Sequence, residues 1–244
     1  AISVTKTGGT ATITSNVSAA SFSSTTAAMN ATVALNSGVI MTLTGGITIA
    51  RPANTAVTGF NFNVGAGIVT CTTITLSGTT GTARTSNLLL STGTITASSN
   101  ITSAGVASSI VFSGSGIINV GGSFLTTAAT FTASTGTVNY NGTTQTIGLY
   151  TYYNLTLSGS GTKTFPTGAT TVNGVLSIEN GTSTNTFTGT ISYGTGATLQ
   201  YNAGASNSTV SNEWPATFLG SGGVLIKGTG IITLNAAKVL GTNT

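Results

Sequence analysis

The amino-acid sequence predicts an all-β fold, a parallel β-helix (β-solenoid) with about 23 residues per coil and a small N-terminal cap. Two observations predict it: a glycine-led tract recurs at nearly constant spacing, and apolar and polar residues alternate on both sides of each glycine. The eight intervals between successive glycines average 23 residues, a period typical of stacked repeats. The glycines are Gly46, Gly67, Gly93, Gly116, Gly136, Gly161, Gly181, Gly204 and Gly230.

The residues around each glycine predict strands. Alternating apolar stretches such as 110–112 and 155–157 run into a glycine, and a β-branched stretch such as 94–96 follows one. In at least two repeats a third apolar element follows, at 120–125 and 172–178. Three short strands in about 23 residues correspond to one coil of a parallel β-helix, with successive coils about 4.8 Å apart.

The chain divides into two segments on this interpretation. Residues 1–36 are predicted to hold one or two N-terminal strands and a cap, and they are a candidate donor segment for strand addition. Within this segment, residues 15–30 lack the alternation and are expected to form a helical or looping cap that includes Phe22 and Met29. Residues 37–244 are predicted to form the β-solenoid of stacked coils.

The charge pattern argues against two classes of partner. Charged residues are only 3% of the chain and the net charge is +4, from six cations that are nowhere adjacent. Phosphate binding requires clustered cations, so nucleic acid is not expected as a partner. No run approaches the 18 apolar residues of a transmembrane helix, so no membrane span is expected. The cations are Lys6, Arg51, Arg84, Lys163, Lys227 and Lys238.

The residue inventory also argues against catalysis. The chain has no histidine, no aspartate, one cysteine (Cys71) and two glutamates, Glu179 and Glu213. A glycosidase-type site needs paired carboxylates, and these two lie 34 residues apart, about one and a half coils. General acid–base work by histidine and the usual metal-ligand sets are excluded by composition. We therefore expect no enzymatic activity, no metal and no cofactor.

Four residues have two interpretations each. Cys71 is interpreted either as a small, buried, apolar residue or as a cysteine that forms an intermolecular disulfide. Trp214, the only tryptophan, precedes a proline and fits a loop packed back on the solenoid, or a contact anchor for a neighbouring molecule. Lys163 or Lys227 fits a solvated lysine, or one partner of a Lys–Asn crosslink that requires a nearby carboxylic acid.

A resemblance appears in the middle of the chain. Residues 136–148 read GTVNYNGTTQTIG and residues 152–164 read YYNLTLSGSGTKT. This pattern resembles repeat segments of bacterial secreted and cell-surface β-solenoid proteins, which are adhesin-like, right-handed parallel β-helices. The resemblance implies an extracellular or cell-surface location and a structural or adhesive role without catalysis. The chain begins without a leader, which fits a mature secreted protein or equally a segment of a longer one.

The function favoured by these observations is that of a structural subunit of an extracellular filament, sheath or surface layer. Its partners would be copies of itself, which assemble through solenoid ends or by strand addition, with surface glycans as a second class of partner. Uncharged strands at an open end favour this, because an unprotected sheet edge pairs readily with another chain. The candidate assembly residues are Ile2, Val4, Thr12, Ile13 and Trp214.

Two alternatives remain at the sequence level. One is an adhesin or carbohydrate-binding stalk, in which the rings of Tyr150, Tyr152 and Tyr153 would stack on sugars. The other is an ice-binding protein, because the chain contains Thr-x-Thr tracts at 10–14 and 42–44 that could order water on a flat sheet. These tracts do not recur on one strand of every coil, as a regular ice-binding surface would require.

The fold prediction has consequences that a structure can test. More than a third of the residues should be in strands, strands one period apart should pair in parallel, and equivalent polar residues should form rows with side-chain hydrogen bonds. The residues expected inside are Phe112, Ile118 or Val120, Leu155, Leu157 and Ile226. The residues expected in polar rows are Thr96, Asn119, Asn139 and Thr164.

Overall fold

The computed structural model describes residues 1–25, 30–53, 59–77, 84–125, 129–179, 185–204, 208–209 and 212–241. The chain forms two compact units, residues 1–136 (unit 1) and 137–244 (unit 2). Each is a parallel β-solenoid, and no helix occurs among the described residues. The all-β solenoid prediction is therefore confirmed, and well over a third of the chain is in strands.

Unit 1 contains sixteen described strands in three parallel sheets, and each turn from β1 to β15 contributes one strand to each sheet. The sheet orders are β1-β4-β7-β10-β13, β2-β5-β8-β11-β14-β16 and β3-β6-β9-β12-β15. The strands are β1 (Ile2–Val4), β2 (Gly9–Ile13), β3 (Val17–Ala19), β4 (Phe22–Ser24), β5 (Ala31–Leu35), β6 (Ile40–Leu43), β7 (Ile47–Ala50), β8 (Gly59–Gly65), β9 (Ile68–Cys71), β10 (Ile74–Ser77), β11 (Thr85–Leu90), β12 (Thr94–Ala97), β13 (Ile101–Ser103), β14 (Ser108–Phe112), β15 (Ile117–Val120) and β16 (Thr130–Thr132).

Unit 2 repeats this arrangement with shorter strands. Its sheets have the orders β17-β20-β23-β26-β29, β18-β21-β24, β19-β22-β25, β27-β30 and β28-β31. The strands are β17 (Thr137–Tyr140), β18 (Gln145–Thr146), β19 (Thr151–Tyr152), β20 (Asn154–Leu157), β21 (Lys163–Phe165), β22 (Ala169–Val172), β23 (Val175–Ile178), β24 (Thr186–Phe187), β25 (Thr190–Tyr193), β26 (Thr198–Tyr201), β27 (Ser208–Thr209), β28 (Thr217–Phe218), β29 (Gly223–Ile226), β30 (Ile232–Thr233) and β31 (Val239–Leu240).

The pairing register explains the period in the sequence. Ile95 pairs with Ile118 in a parallel ladder, an offset of 23 residues. Because strands stack in register, each side chain lies on the equivalent side chain of the turn below. Equivalent apolar residues of successive turns therefore form continuous rows. Phe112, Ile118, Val120, Leu155 and Leu157 are all buried, as predicted.

Several of the recurring glycines lie where neighbouring turns approach each other closely. A Cβ atom added at Gly93 would clash with the backbone carbonyl oxygen of Gly67, one turn below. A Cβ atom added at Gly116 would lie 2.7 Å from the Leu90 side chain, which is closer than real Cβ contacts. Glycine therefore recurs with the period of the repeat at these positions, because they leave no room for a side chain.

The N-terminal segment participates in the solenoid. Strands β1 and β2, within residues 1–36, pair in parallel with β4 and β5 of the next turn. Strands β3 and β4 lie in the region where a helical or looping cap was expected, and Phe22 is buried there. Met29 lies outside the described residues. A donor role of this segment in assembly stays a prediction.

The predicted polar rows are present. Asn119 Nδ2 donates to Thr96 Oγ1 at 3.2 Å, across neighbouring turns of unit 1. In unit 2, Ser158 Oγ donates to Asn139 Oδ1 at 2.7 Å, and Thr164 lies in register with the threonines of the strands on either side. These rows replace, on the outer surface, the charged residues that the chain lacks.

Candidate assembly surfaces

The first candidate surface is the N-terminal edge, which we define as strands β1, β2 and β3. Each lies at the end of its sheet and pairs with one strand only among those described. Ile2, Val4 and Ile13 are half-buried and Thr12 is exposed. None of the three strands contains a charged residue, although charges are the usual device that keeps an open edge from pairing with other chains.

The second candidate surface is at the last described turn of unit 2. Strands β29, β30 and β31 are the final strands of their sheets, and this turn exposes large apolar side chains. Seven of the twelve exposed large apolar residues in the described part of the chain lie within residues 219–240. We call these seven the C-terminal patch: Leu219, Leu225, Ile226, Ile231, Leu234, Val239 and Leu240. An apolar cluster of this kind usually marks a contact site.

Ile226 was expected inside, and that expectation is wrong. The residue pairs in register with Tyr201, which is buried, so Ile226 continues an interior row. It is nevertheless 54% exposed, because β29 is the last strand of its sheet among the described residues and no described turn covers it. An inward-facing position is buried only when a turn covers it on both sides.

Trp214 lies in the connection between β27 and β28, and only 8% of it is exposed. Its ring packs on Tyr201, with ring centroids 6.2 Å apart. The indole Nε1 is buried and has no hydrogen-bond partner among the described residues. The sequence left two interpretations open, and the structure agrees with the loop that packs back on its own solenoid. We therefore do not propose that Trp214 contacts a neighbouring molecule.

Glu213, the residue before Trp214, is a buried carboxylate held by tyrosines. Tyr201 Oη donates to Glu213 Oε1 at 3.0 Å, and Tyr193 Oη donates to the Glu213 carbonyl oxygen at 2.5 Å. Burial, and next the negative charge of Glu213, raise the pKa of both tyrosines well above the ordinary value. Both hydroxyls therefore stay protonated as donors that fix the 212–216 loop.

Lys163 is fully buried, and its charge is held by backbone carbonyls. Its Nζ donates to the carbonyl oxygens of Gly142 at 2.6 Å, Thr143 at 2.9 Å and Ser160 at 3.1 Å. Burial lowers the pKa of Lys163 from 10.5 to about 8. The three acceptors lie on two neighbouring corners, so the ammonium group links successive turns. Because three carbonyl oxygens hold the ammonium group, we interpret Lys163 as a structural residue and do not propose the Lys–Asn crosslink.

The tyrosines proposed for sugar binding do not form an exposed stacking surface. Tyr152 is fully buried, and its hydroxyl donates to the Gly148 carbonyl oxygen at 2.9 Å. It also shares a hydrogen bond of 2.9 Å with the buried Tyr140 hydroxyl, and burial raises the pKa of Tyr140 to about 12. Tyr150 packs edge-to-face on Tyr152 with a ring centroid distance of 6.4 Å. Tyr140 and Tyr152 are thus core residues of unit 2, whereas Tyr150 and Tyr153 are half-buried.

Cys71 is a core residue of unit 1. Its side chain is 2% exposed, and burial raises the pKa of the thiol from 9.0 to about 12. The structure therefore agrees with the small buried apolar residue, and an intermolecular disulfide is not proposed.

Comparison with known proteins identifies no relative: no family model, curated protein or solved structure matches the chain. Within the described ranges there is no group of three or more histidine, cysteine, aspartate or glutamate residues that could hold a metal ion. Those ranges also contain no helix with the length and apolar character needed to cross a membrane.

Proposed function

We propose that this protein is a structural subunit of an extracellular filament, sheath or surface layer, built by end-to-end contact of solenoids. The observation that carries the proposal is the C-terminal patch, where seven large apolar residues surround strands with an unpaired edge. At the N-terminal edge, three uncharged strands likewise have an unpaired side. Copies of the chain that pair these edges would hydrogen-bond the free backbone groups and bury the apolar patch.

Head-to-tail contact follows from the different character of the two edges. The N-terminal edge and the C-terminal patch are different surfaces, so a contact between them is heterologous. Repeating a heterologous contact builds a ring or an open chain, and we propose the open chain. The six cations and two carboxylates give little long-range repulsion, and hydrogen-bonded strands with apolar contacts are only weakly screened by salt. Assembly should therefore persist at high salt.

The test is the assembly state of the purified chain as a function of concentration and salt. We expect sedimentation velocity to show species much larger than the 23.9 kDa chain, and negative-stain electron microscopy to show linear assemblies in low and high salt. A monodisperse monomer at high concentration would contradict the proposal. Assemblies that dissolve in high salt would contradict the apolar and strand-pairing mechanism.

An extracellular or cell-surface location is part of the same proposal and is supported by the resemblance to bacterial surface repeats. The adhesin alternative has less support, because Tyr152 is buried and hydrogen-bonded inside unit 2. Surface glycans remain proposed partners only through that resemblance. Binding of the assembled protein to a glycan array would test them, and the result is independent of assembly.

A further inference from the structure

One outer face of unit 1 has a regular composition that the linear sequence does not show. It is the solvent side of the sheet β3-β6-β9-β12-β15, where parallel pairing places equivalent residues in rows across the strands. The first row is Ile40, Ile68, Thr94 and Ile117, and the second is Ser18, Thr42, Thr70, Thr96 and Asn119. We call these two rows the isoleucine–threonine face.

The face presents methyl and hydroxyl groups in a two-dimensional array. Neighbouring residues of a row are about 4.8 Å apart, and the two rows, separated by two residues along each strand, are about 7 Å apart. Ile40, Ile68 and Ile117 are each about 40% exposed, and Thr42 and Thr70 are exposed. The positions are rigid, because β-branched side chains have restricted χ1 angles.

The face is also free of charge. None of its five strands contains an aspartate, glutamate, lysine or arginine. An ionised group would hold its own hydration shell strongly and would impose that arrangement on nearby water. Here a row that is mainly isoleucine runs beside a row that is mainly threonine and serine, so neighbouring water can hydrogen-bond to the hydroxyl groups while it surrounds the methyl groups.

The polar row of this face has one hydrogen bond between its own members, from Asn119 Nδ2 to Thr96 Oγ1 at 3.2 Å. The polar row of the adjacent sheet, β2-β5-β8-β11-β14-β16, has more such bonds. Its amide groups bond to one another: Asn87 Nδ2 donates to Asn61 Oδ1 at 2.8 Å, and Asn61 Nδ2 donates to Thr32 Oγ1 at 3.2 Å. Ser109 Oγ then donates to Asn87 Oδ1 at 2.7 Å. These groups are largely satisfied within the protein and have less capacity to organise a water layer.

The size of the isoleucine–threonine face helps to identify what binds to it. From β6 to β15 the array is about 14 Å long and about 7 Å wide by strand geometry. A stable protein interface buries about 800 Å² per partner, so this face alone is too small to hold a second copy. Water molecules are small enough to contact single hydroxyl and methyl groups of the array. We propose that the isoleucine–threonine face binds ice, an activity separate from end-to-end assembly.

The experiment compares the full chain with two matched variants in an ice-partition assay, with recrystallisation inhibition as a second readout. Thr70→Lys places a long cation in the middle of the face. Thr48→Lys is the control, because Thr48 is an exposed, outward-facing residue in the middle of β7, on another sheet of the same unit. All samples are centrifuged before freezing so that assemblies are not trapped, and circular dichroism melts show that each variant is folded.

We expect the full chain and Thr48→Lys to enter the ice fraction and to inhibit recrystallisation, and Thr70→Lys to lose both activities. Exclusion of the full chain from ice would overturn the proposal. Equal activity of Thr70→Lys and the full chain, or equal loss in both variants, would overturn the assignment to this face. Only the supernatant that remains after the assemblies have been sedimented is tested. A negative result for ice binding therefore leaves the filament proposal unaffected.

Discussion

The C-terminal patch allows a worked prediction about assembly. Its seven side chains are on average about half exposed, so their free surface equals that of roughly four whole side chains. Complete burial at about 1.5–3 kcal/mol per side chain would contribute about 6–12 kcal/mol. Association itself costs about 4–15 kcal/mol. The apolar contact is therefore marginal and should be sensitive to one well-placed charge.

The substitution we choose is Ile226→Lys. Ile226 is 54% exposed and stacks on Tyr201 at the open edge, so a second solenoid turn would cover it. The variant loses about 1 kcal/mol of apolar burial and must desolvate an ammonium group, for a total of about 3 kcal/mol. Because 1.4 kcal/mol is a factor of ten, the concentration needed for assembly should rise about a hundredfold.

The assay is sedimentation velocity over a concentration series, with the thermal melt of each variant as a check on folding. The control is Val106→Lys, since Val106 is 60% exposed but lies between β13 and β14 of unit 1 and is not part of the patch. It should assemble like the unmodified chain. Assembly of Ile226→Lys at the original concentration, or equal impairment of the control, would refute the reasoning.

Three further predictions concern the interior. Leu157→Ala should lower the free energy of unfolding by about 2–5 kcal/mol in urea titrations, whereas Leu149→Ala, at a 46% exposed site of the same unit, should cost under about 1 kcal/mol. Burial lowers the pKa of Lys163 to about 8, so the unfolded chain binds more protons above that pH. The unfolding free energy should then rise between about pH 8 and 10, and Lys163→Met should lack this rise; a flat profile in both proteins would show that the carbonyl cage offsets burial. The buried Cys71 thiol, with its pKa raised to about 12, should react with a disulfide reagent only after unfolding, and fast labelling of the folded protein would contradict this.

The sequence by itself determined the architecture, for a physical reason. In an in-register parallel stack every turn has the same environment, so the sequence repeats the same residue types at equivalent positions. The corner that excludes a side chain appears as a glycine, such as Gly93, and the interior row appears as an apolar residue, such as Ile95. The polar rows were predictable in the same way, as the Asn119 to Thr96 hydrogen bond shows.

The positions of the surfaces required the tertiary structure. Ile226 has the sequence signature of an interior residue, and its exposure depends on whether a turn covers it, which no local pattern encodes. Lys163 lies between two threonines, a polar sequence context that does not indicate burial, yet carbonyls from two corners surround its ammonium group.

The isoleucine–threonine face shows the same division most clearly. Thr42 and Thr70 are 28 positions apart along the chain and neighbours in a row, and threonine and isoleucine alternate irregularly as the residues are read in order. Only pairing between strands of different turns, with a β-strand's alternation of inward and outward side chains, collects them on one surface. The repeat length is a local property of each turn, whereas a surface is a property of the stack.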